Sequence, residues 1–150
     1  MIFIRILLEV KVMQVKLYTD GSSNYKLGKV GTGAVIVNNN NNILSEISKE
    51  VDKPELLKYN NVAGEILACC YGIEKCIELG VKQVEIHVDY IGLIKWYDGT
   101  WRTKNNFTKL YVNMLREYGK FIDFNFIKVK SHSNDKWNEY ADKLAKKSIK

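Results

Sequence analysis

Residues 15–23 read Val-Lys-Leu-Tyr-Thr-Asp-Gly-Ser-Ser. The first five are apolar or β-prone, so this stretch predicts a strand that ends at Asp20. Asp-Gly is a common turn pair, and a plain turn is one reading of the acid. The other is a ligand, because functional groups in α/β sheets gather at the carboxyl ends of central strands. The choice depends on what the remaining sequence builds around this strand.

Downstream, residues 32–37 (TGAVIV) and 43–50 (ILSEISKE) read as two more strands, separated by asparagines 38–42. Asparagine tolerates positive φ, so that tract predicts a hairpin turn, and the three strands form an antiparallel meander. After Pro54 the period changes. Ile66, Cys69, Cys70, Ile73 and Ile77 recur at helical spacing until Gly80 offers a stop. Residues 84–89 (VEIHVD) predict a strand, and 90–97 a short helix closing at Asp98-Gly99. Phe107, Leu110, Tyr111, Met114, Leu115 and Tyr118 mark one face of a further helix that ends at Gly119. A last strand over 122–129 precedes a helix defined by Trp137, Tyr140, Ala141, Leu144 and Ala145. The order βββαβααβα predicts an α/β fold with a mixed sheet, helices on both faces, and later strands made parallel by right-handed crossovers.

A chain of 150 residues suits one domain with a real core, and 46% hydrophobic with 27% charged residues excludes disorder. The net charge of +6 is uneven: residues 1–75 carry nine Lys/Arg against eight Asp/Glu, and 76–150 carry fourteen against nine. That bias suits a polyanion such as nucleic acid, and equally a solvated basic surface. Cys69, Cys70 and Cys76 fall in one helical stretch without metal-ligand spacing, so they read as core residues of a reducing, cytoplasmic compartment. The opening MIFIRILLEVKVM is broken by Arg5, Glu9 and Lys11, which argues against a signal peptide, and Met13 offers an alternative start. No apolar run is long enough to span a membrane.

Asp20 and Asp89 both end predicted strands and can emerge at one edge of the sheet. Glu65 reads as opening the helix after the meander, where the helix dipole alone also favours an acid. Asp142 borders the buried stripe of the last helix, with Asn138 one turn back, and a solvated polar pair accounts for it equally well. Four converging carboxylates repel one another unless something cationic sits between them. Oxygen ligands select Mg²⁺ or Mn²⁺ over zinc, and two such ions about 4 Å apart clamp an in-line phosphoryl displacement. A basic chain with this cluster is a candidate nuclease. His132, in the polar loop VKSHSND, is either a solvated residue or a proton shuttle, whereas His87 within a strand reads as packing.

Together these residues resemble ribonuclease H of type 1. YTDGS at 18–22, GEILA at 64–68, HVDY at 87–90 and VKSHSNDKWNEYADKLA at 129–145 look like that family's carboxylate motifs and histidine loop, in its order. DYIGLIKWYDGTWRTKN at 89–105 is most similar to bacterial members, here with the catalytic domain only. The resemblance implies an RNase H-like fold, a five-stranded mixed sheet flanked by helices in βββαβαβα-type order, with residues 13–150 as catalytic domain and 1–12 as an N-terminal extension. It implies endonucleolytic hydrolysis of the RNA strand of an RNA–DNA hybrid by a monomer using two Mg²⁺ ions, or Mn²⁺, leaving 5′-phosphate and 3′-hydroxyl ends.

By the same resemblance Asp20 bridges both ions, Asp142 helps hold the one that activates water, and Glu65 with Asp89 holds the other. His132 assists product release or proton transfer. Gly21, Ser22 and Ser23 meet RNA 2′-hydroxyls through their main chain, Asn61 touches bases in the minor groove, and Asn138 with Glu139 matches the family's Asn-Glu pair. Two departures stand out. Ile91 replaces a glutamine found in many members, and the basic protrusion shrinks to residues 101–105, leaving Arg102 and Lys104 as phosphate contacts. A hybrid-binding module without cleavage, or another nuclease or transposase on the same scaffold, are the alternatives.

Overall fold

The computed structural model describes residues 14–130 and 135–150. Its strands are β1 (Gln14–Asn24), β2 (Lys29–Val37), β3 (Ile43–Glu50), β4 (Gln83–Val88) and β5 (Asp123–Lys128). The helices are α1 (Asn61–Glu78), α2 (Gly92–Tyr97), α3 (Asn106–Tyr118) and α4 (Lys136–Lys147), with a 3-10 turn at Pro54–Tyr59 that the sequence pattern did not announce. The strands form one sheet in the order β3-β2-β1-β4-β5. β1 pairs antiparallel with β2 and parallel with β4, and β4 pairs parallel with β5. The expected mixed sheet is therefore present, with β1 at its centre.

The alternation of side chains along β1 sorts the core into two layers. Val15 and Leu17 point into the larger one, beneath α1 and α3, with Ile66, Ile73, Tyr111 and Leu115. Tyr18 faces the other side, where it meets Val35, Val37, Trp137, Ala141 and Leu144. The cysteines lie buried in the larger layer, as the helical spacing indicated. His87 stacks on Tyr18, ring centroids 4.2 Å apart, and so packs as expected.

Two helices approach the sheet closely because glycines leave room. A Cβ on Gly21 would lie 2.6 Å from the Glu65 backbone nitrogen, so only glycine lets the start of α1 rest on β1. On the opposite face Gly33, the cross-strand partner of Asp20, sits directly against the Ala141 and Ala145 backbone of α4. Asp135 caps α4 by accepting the Trp137 and Asn138 N–H groups at 3.0 and 3.1 Å.

Several boundaries differ from the sequence expectation. β1 does not stop at Asp20 but runs four residues further to Asn24, and Asn24 pairs with Lys29 at the start of a longer β2. Asp20-Gly21 is thus mid-strand and the plain-turn reading fails; the turn lies at residues 25–28, where Gly28 has φ +63°. The asparagine tract does turn, with Asn41 at φ 61°. Helix α2 begins at Gly92, because Asp89 to Ile91 carry the chain off β4.

Candidate active site

Asp20 projects from the centre of the sheet toward the α4 face, on the same side as its partner Gly33. Its own chain steadies it, since the Gly21 N–H donates to Oδ1 at 2.9 Å. Around it the two close-packed helices each deliver one acid, Glu65 from α1 and Asp142 from α4, and both act on the Asp20 carboxyl. Asp89 follows the end of β4, and its charge acts on Glu65 from the far side.

These four acids occupy two kinds of environment. Asp20 and Glu65 are 9% and 6% exposed. Burial pushes the Asp20 carboxyl up to about 7; Glu65 and the Gly21 N–H counter that shift, while Asp142 adds to it. Burial, then the Asp20 charge, raises Glu65 well above the usual carboxylate range. Among the described residues, the nearby lysines belong to the other two acids: Lys146 lies 2.9 Å from Asp142 and Lys128 lies 3.8 Å from Asp89. Both of those acids are substantially exposed.

Two readings are corrected here. Glu65 is the fifth residue of α1, one turn inside, so it does not open the helix and the dipole of a first turn is not its explanation. Asp142 pairs with Lys146 one turn on, and does not form a solvated pair with Asn138. The expected gathering into one compact cage is met only in part. Among the described residues no three acidic, histidine or cysteine side chains are placed to hold one ion as they stand.

The donor set nevertheless suits a hard cation. Two buried side-chain atoms among the described residues lack a hydrogen-bond partner, Glu65 Oε2 and Thr19 Oγ1, one beside Asp20 in space and the other in sequence. An unpartnered carboxylate oxygen in the interior is costly unless a cation or proton satisfies it. The donors on offer are carboxylate and hydroxyl oxygens, hard ligands of the kind that Mg²⁺ and Mn²⁺ prefer.

Glu65 and Asp89 open into a groove of about 400 Å³ walled by Tyr25, Tyr59, Asn61 and Tyr90. Asn61 is exposed there, and its Oδ1 accepts the Ser23 hydroxyl at 2.7 Å, which fastens β1 to the start of α1. Gly21 and Ser22 line β1 between Asp20 and that contact. Ile91 is half-buried, and Tyr90 leads through ring contacts of 5.8 and 6.5 Å to Trp96 and Trp101. Arg102 and Lys104 are exposed on a separate groove of about 450 Å³ with those tryptophans. Asn138 and Glu139 occupy the first turn of α4, beyond Asp142 from the carboxylate pair. His132 lies outside the described residues. Tyr25, Tyr59, Lys128 and Lys146 were not singled out in the sequence; the one local hint was the placement of Lys146 one helical turn from Asp142.

A buried acid on the middle strand with helix-borne acids beside it gathers oxygen ligands for a hard cation, the arrangement that metal-assisted phosphoryl transfer requires. Comparison makes the class specific. A family model described as RNase H matches residues 12–150. The ribonuclease H of Caldanaerobacter subterraneus subsp. tengcongensis is 32% identical over 149 residues, covering 91% of this chain and 91% of that protein. The ribonuclease H of Acetivibrio thermocellus is 28% identical, covering 91% and 95%. The fold is shared with the solved RNase H1 of the archaeon Halobacterium salinarum, at TM-score 0.77 and 23% identity over 91% of this chain and 97% of that one. It is shared also with LC11-RNase H1, solved in complex with an RNA/DNA hybrid, at TM-score 0.72 and 19% identity over 91% and 99%. The chain belongs to the RNase H family and is a ribonuclease H enzyme.

Proposed function

We propose that this enzyme is an endonuclease that hydrolyses the RNA strand of RNA–DNA hybrids, leaving 5′-phosphate and 3′-hydroxyl ends. The observation that carries the reading is the buried pair Asp20–Glu65, with an unpartnered Glu65 oxygen, at the centre of an RNase H fold. A hybrid is the substrate class because a structure of the same fold, LC11-RNase H1, was solved with one bound.

Asp20, Glu65, Asp89 and Asp142 would hold Mg²⁺ or Mn²⁺, two ions in the full site. When bound, such ions supply charge stabilisation at phosphoryl oxygens and a more acidic water. The protein's own residues do the rest. Asp20 and Glu65 fix two carboxyl groups inside the fold, held near each other by the close approach of α1 to β1 at Gly21. Asp142 and Asp89 reach it from either side, exchanging their lysine partners for the substrate-loaded site. Main-chain groups of Gly21, Ser22 and Ser23 read 2′-hydroxyls, the groups that separate RNA from DNA. Asn61 contacts bases from the groove, Arg102 and Lys104 take phosphates of the DNA strand, and Asn138 with Glu139 supports the α4 side. His132 moves a proton at the leaving group. The protein works as a monomer in the cytoplasm, a compartment that keeps Cys69, Cys70 and Cys76 reduced. Among the described residues no helix is long and apolar enough to cross a membrane.

The test is a panel of labelled RNA–DNA hybrid, duplex DNA and duplex RNA, each incubated with Mg²⁺ and again with EDTA. Cleavage confined to the RNA of the hybrid, and abolished by EDTA, is the expected result. Retention of hybrid without products in Mg²⁺ or Mn²⁺ would instead identify a binding module.

A further inference from the structure

The extension of β1 beyond Asp20 has a destination. It carries a hairpin tip, residues 25–28, on which Tyr25 is 76% and Leu27 56% exposed. The tip is not a loose loop. The Asn24 side chain accepts the Leu27 N–H at 3.1 Å, the ladder closes at Asn24–Lys29, and the Ser23–Asn61 hydrogen bond anchors the arm to α1. A large aromatic ring is therefore held out in solvent by ordered backbone, without any packing role in the fold.

Tyr25 forms the wall between two grooves of opposite charge. On one side lies the groove with Glu65 and Asp89. On the other lies a groove of about 610 Å³, bordered by Ser22, Lys26, Lys146 and Lys150, and no acidic residue lines it. Lys26 and Lys150 form no ion pair among the described residues, and Lys146 sits one turn from Asp142 with a mostly exposed side chain. This second groove begins at Ser22, two positions from Asp20 on the same face of β1. A strand whose phosphate lies at the carboxylates must run its neighbouring phosphates somewhere, and this adjoining groove, whose only charged side chains are lysines, is complementary to them.

We infer that this lysine groove is a binding site for the backbone of the strand being cut, with Tyr25 as the divider that packs against the sugar and base edge between the acidic and cationic grooves. The inference rests on the proposed hybrid substrate and deepens it. It assigns Lys26 and Lys146 to phosphates of the RNA strand, on the opposite flank from Arg102 and Lys104. It also makes Tyr25 a positioning residue that sets which phosphate reaches Asp20.

Steady-state cleavage of a labelled hybrid over a salt series tests it, using wild type, Lys26→Ala, Tyr25→Ala, Tyr25→Phe and, as a distant control, Lys82→Ala at the start of β4. Lys26→Ala should raise KM about three- to tenfold with kcat within about twofold, and should lower the slope of log(1/KM) against log salt by about 0.7–0.9. Tyr25→Ala should raise KM about tenfold, and Tyr25→Phe should restore it to within about twofold, as stacking requires a ring and not a hydroxyl. Hybrids with uncharged methylphosphonate linkages identify the strand. Beside the cut in the RNA strand they should erase the difference between wild type and Lys26→Ala, whereas in the DNA strand they should leave it intact. Unchanged KM and salt slope in Lys26→Ala, while wild type cuts the hybrid, overturns this inference alone. A Lys26 effect that persists on the neutralised RNA strand overturns it too. Wild type that leaves every hybrid uncut overturns the substrate reading and this inference with it. All three variants lie on the exposed tip, and an unchanged melting temperature confirms the fold.

Discussion

The four acids divide into an inner and an outer pair. Asp20 and Glu65 are locked between β1 and α1, nearly inaccessible, and share their charge with no lysine among the described residues. Asp89 and Asp142 stand at the rim, and each leans on a lysine. Identical chemistry thus does different work: the inner pair stores unfavourable electrostatic energy in the folded protein, whereas the outer pair is solvated and stores almost none. Sites of function commonly carry such a cost, and its location can be measured.

The largest contrast should appear in Asp20→Asn. An amide keeps the shape but removes the charge, and cleavage of hybrid should fall about a thousandfold or more, to the background of the assay. In EDTA at pH 8 the same variant should be more stable than wild type by about 1–3 kcal/mol, because it removes a carboxylate that burial makes costly to ionise. Loss of activity together with loss of stability would place Asp20 among ordinary structural residues and dissolve the contrast.

The pH dependence of stability comes next in size. The Asp20 carboxyl lies near 7 in the folded protein and near 4 when unfolded, and Glu65 is displaced in the same direction. Between those values the folded state holds a proton that the unfolded chain has released. Stability in EDTA should therefore fall as pH rises from about 4 to about 7, by on the order of 4 kcal/mol from Asp20 alone, and should go on falling above that as Glu65 gives up its proton. Urea melts at intervals across that range measure it. In the Asp20→Asn, Glu65→Gln double variant the slope should flatten; if it does not, some other group carries the pH dependence.

How much of this was readable in the sequence follows from which interactions are local. Hairpin and helix periodicity gave the element order, since alternation and i, i+3, i+4 spacing are properties of neighbouring residues. Ile43–Glu50 came out to the residue. The end of β1 did not. Asp-Gly carries a strong turn signal, but Gly21 is there so that α1 can touch the strand, a demand made by a helix more than forty positions away. Glu65 was misplaced in its helix for a related reason: the Pro54–Tyr59 turn left no periodic trace, so the start at Asn61 was hidden. The acids themselves were legible as a set. The division into inner and outer pairs was not, because Lys128 and Lys146 join it only through tertiary placement and one helical turn.

Exchanging the outer acids should cost less than exchanging the inner ones. Asp142→Asn and Asp89→Asn should lower cleavage about 10- to 100-fold, since an exposed amide oxygen and water can substitute in part for the carboxylate. Melts in EDTA should stay within about 0.5 kcal/mol of wild type, the usual range for surface substitutions. A stability gain as large as that of Asp20→Asn would show that the rim is as frustrated as the centre.

The smallest effect concerns the lysine that holds Asp89. Lys128 Nζ is 3.8 Å from the carboxylate and also donates to the Val129 carbonyl at 2.6 Å, so it is tethered to backbone at the end of β5 whatever Asp89 does. An ion pair this exposed is worth only about 0–1 kcal/mol, and a divalent cation recruiting Asp89 must first displace it. Lys128→Ala should therefore lower the Mg²⁺ concentration for half-maximal cleavage about two- to threefold, with little change in rate at saturating Mg²⁺. High salt, which screens the pair in the wild type, should shrink the difference between the two proteins. A rise in the Mg²⁺ requirement would mean that Lys128 presents Asp89 to the site, and the outer pair would then be organised by its lysines just as the inner pair is by its burial.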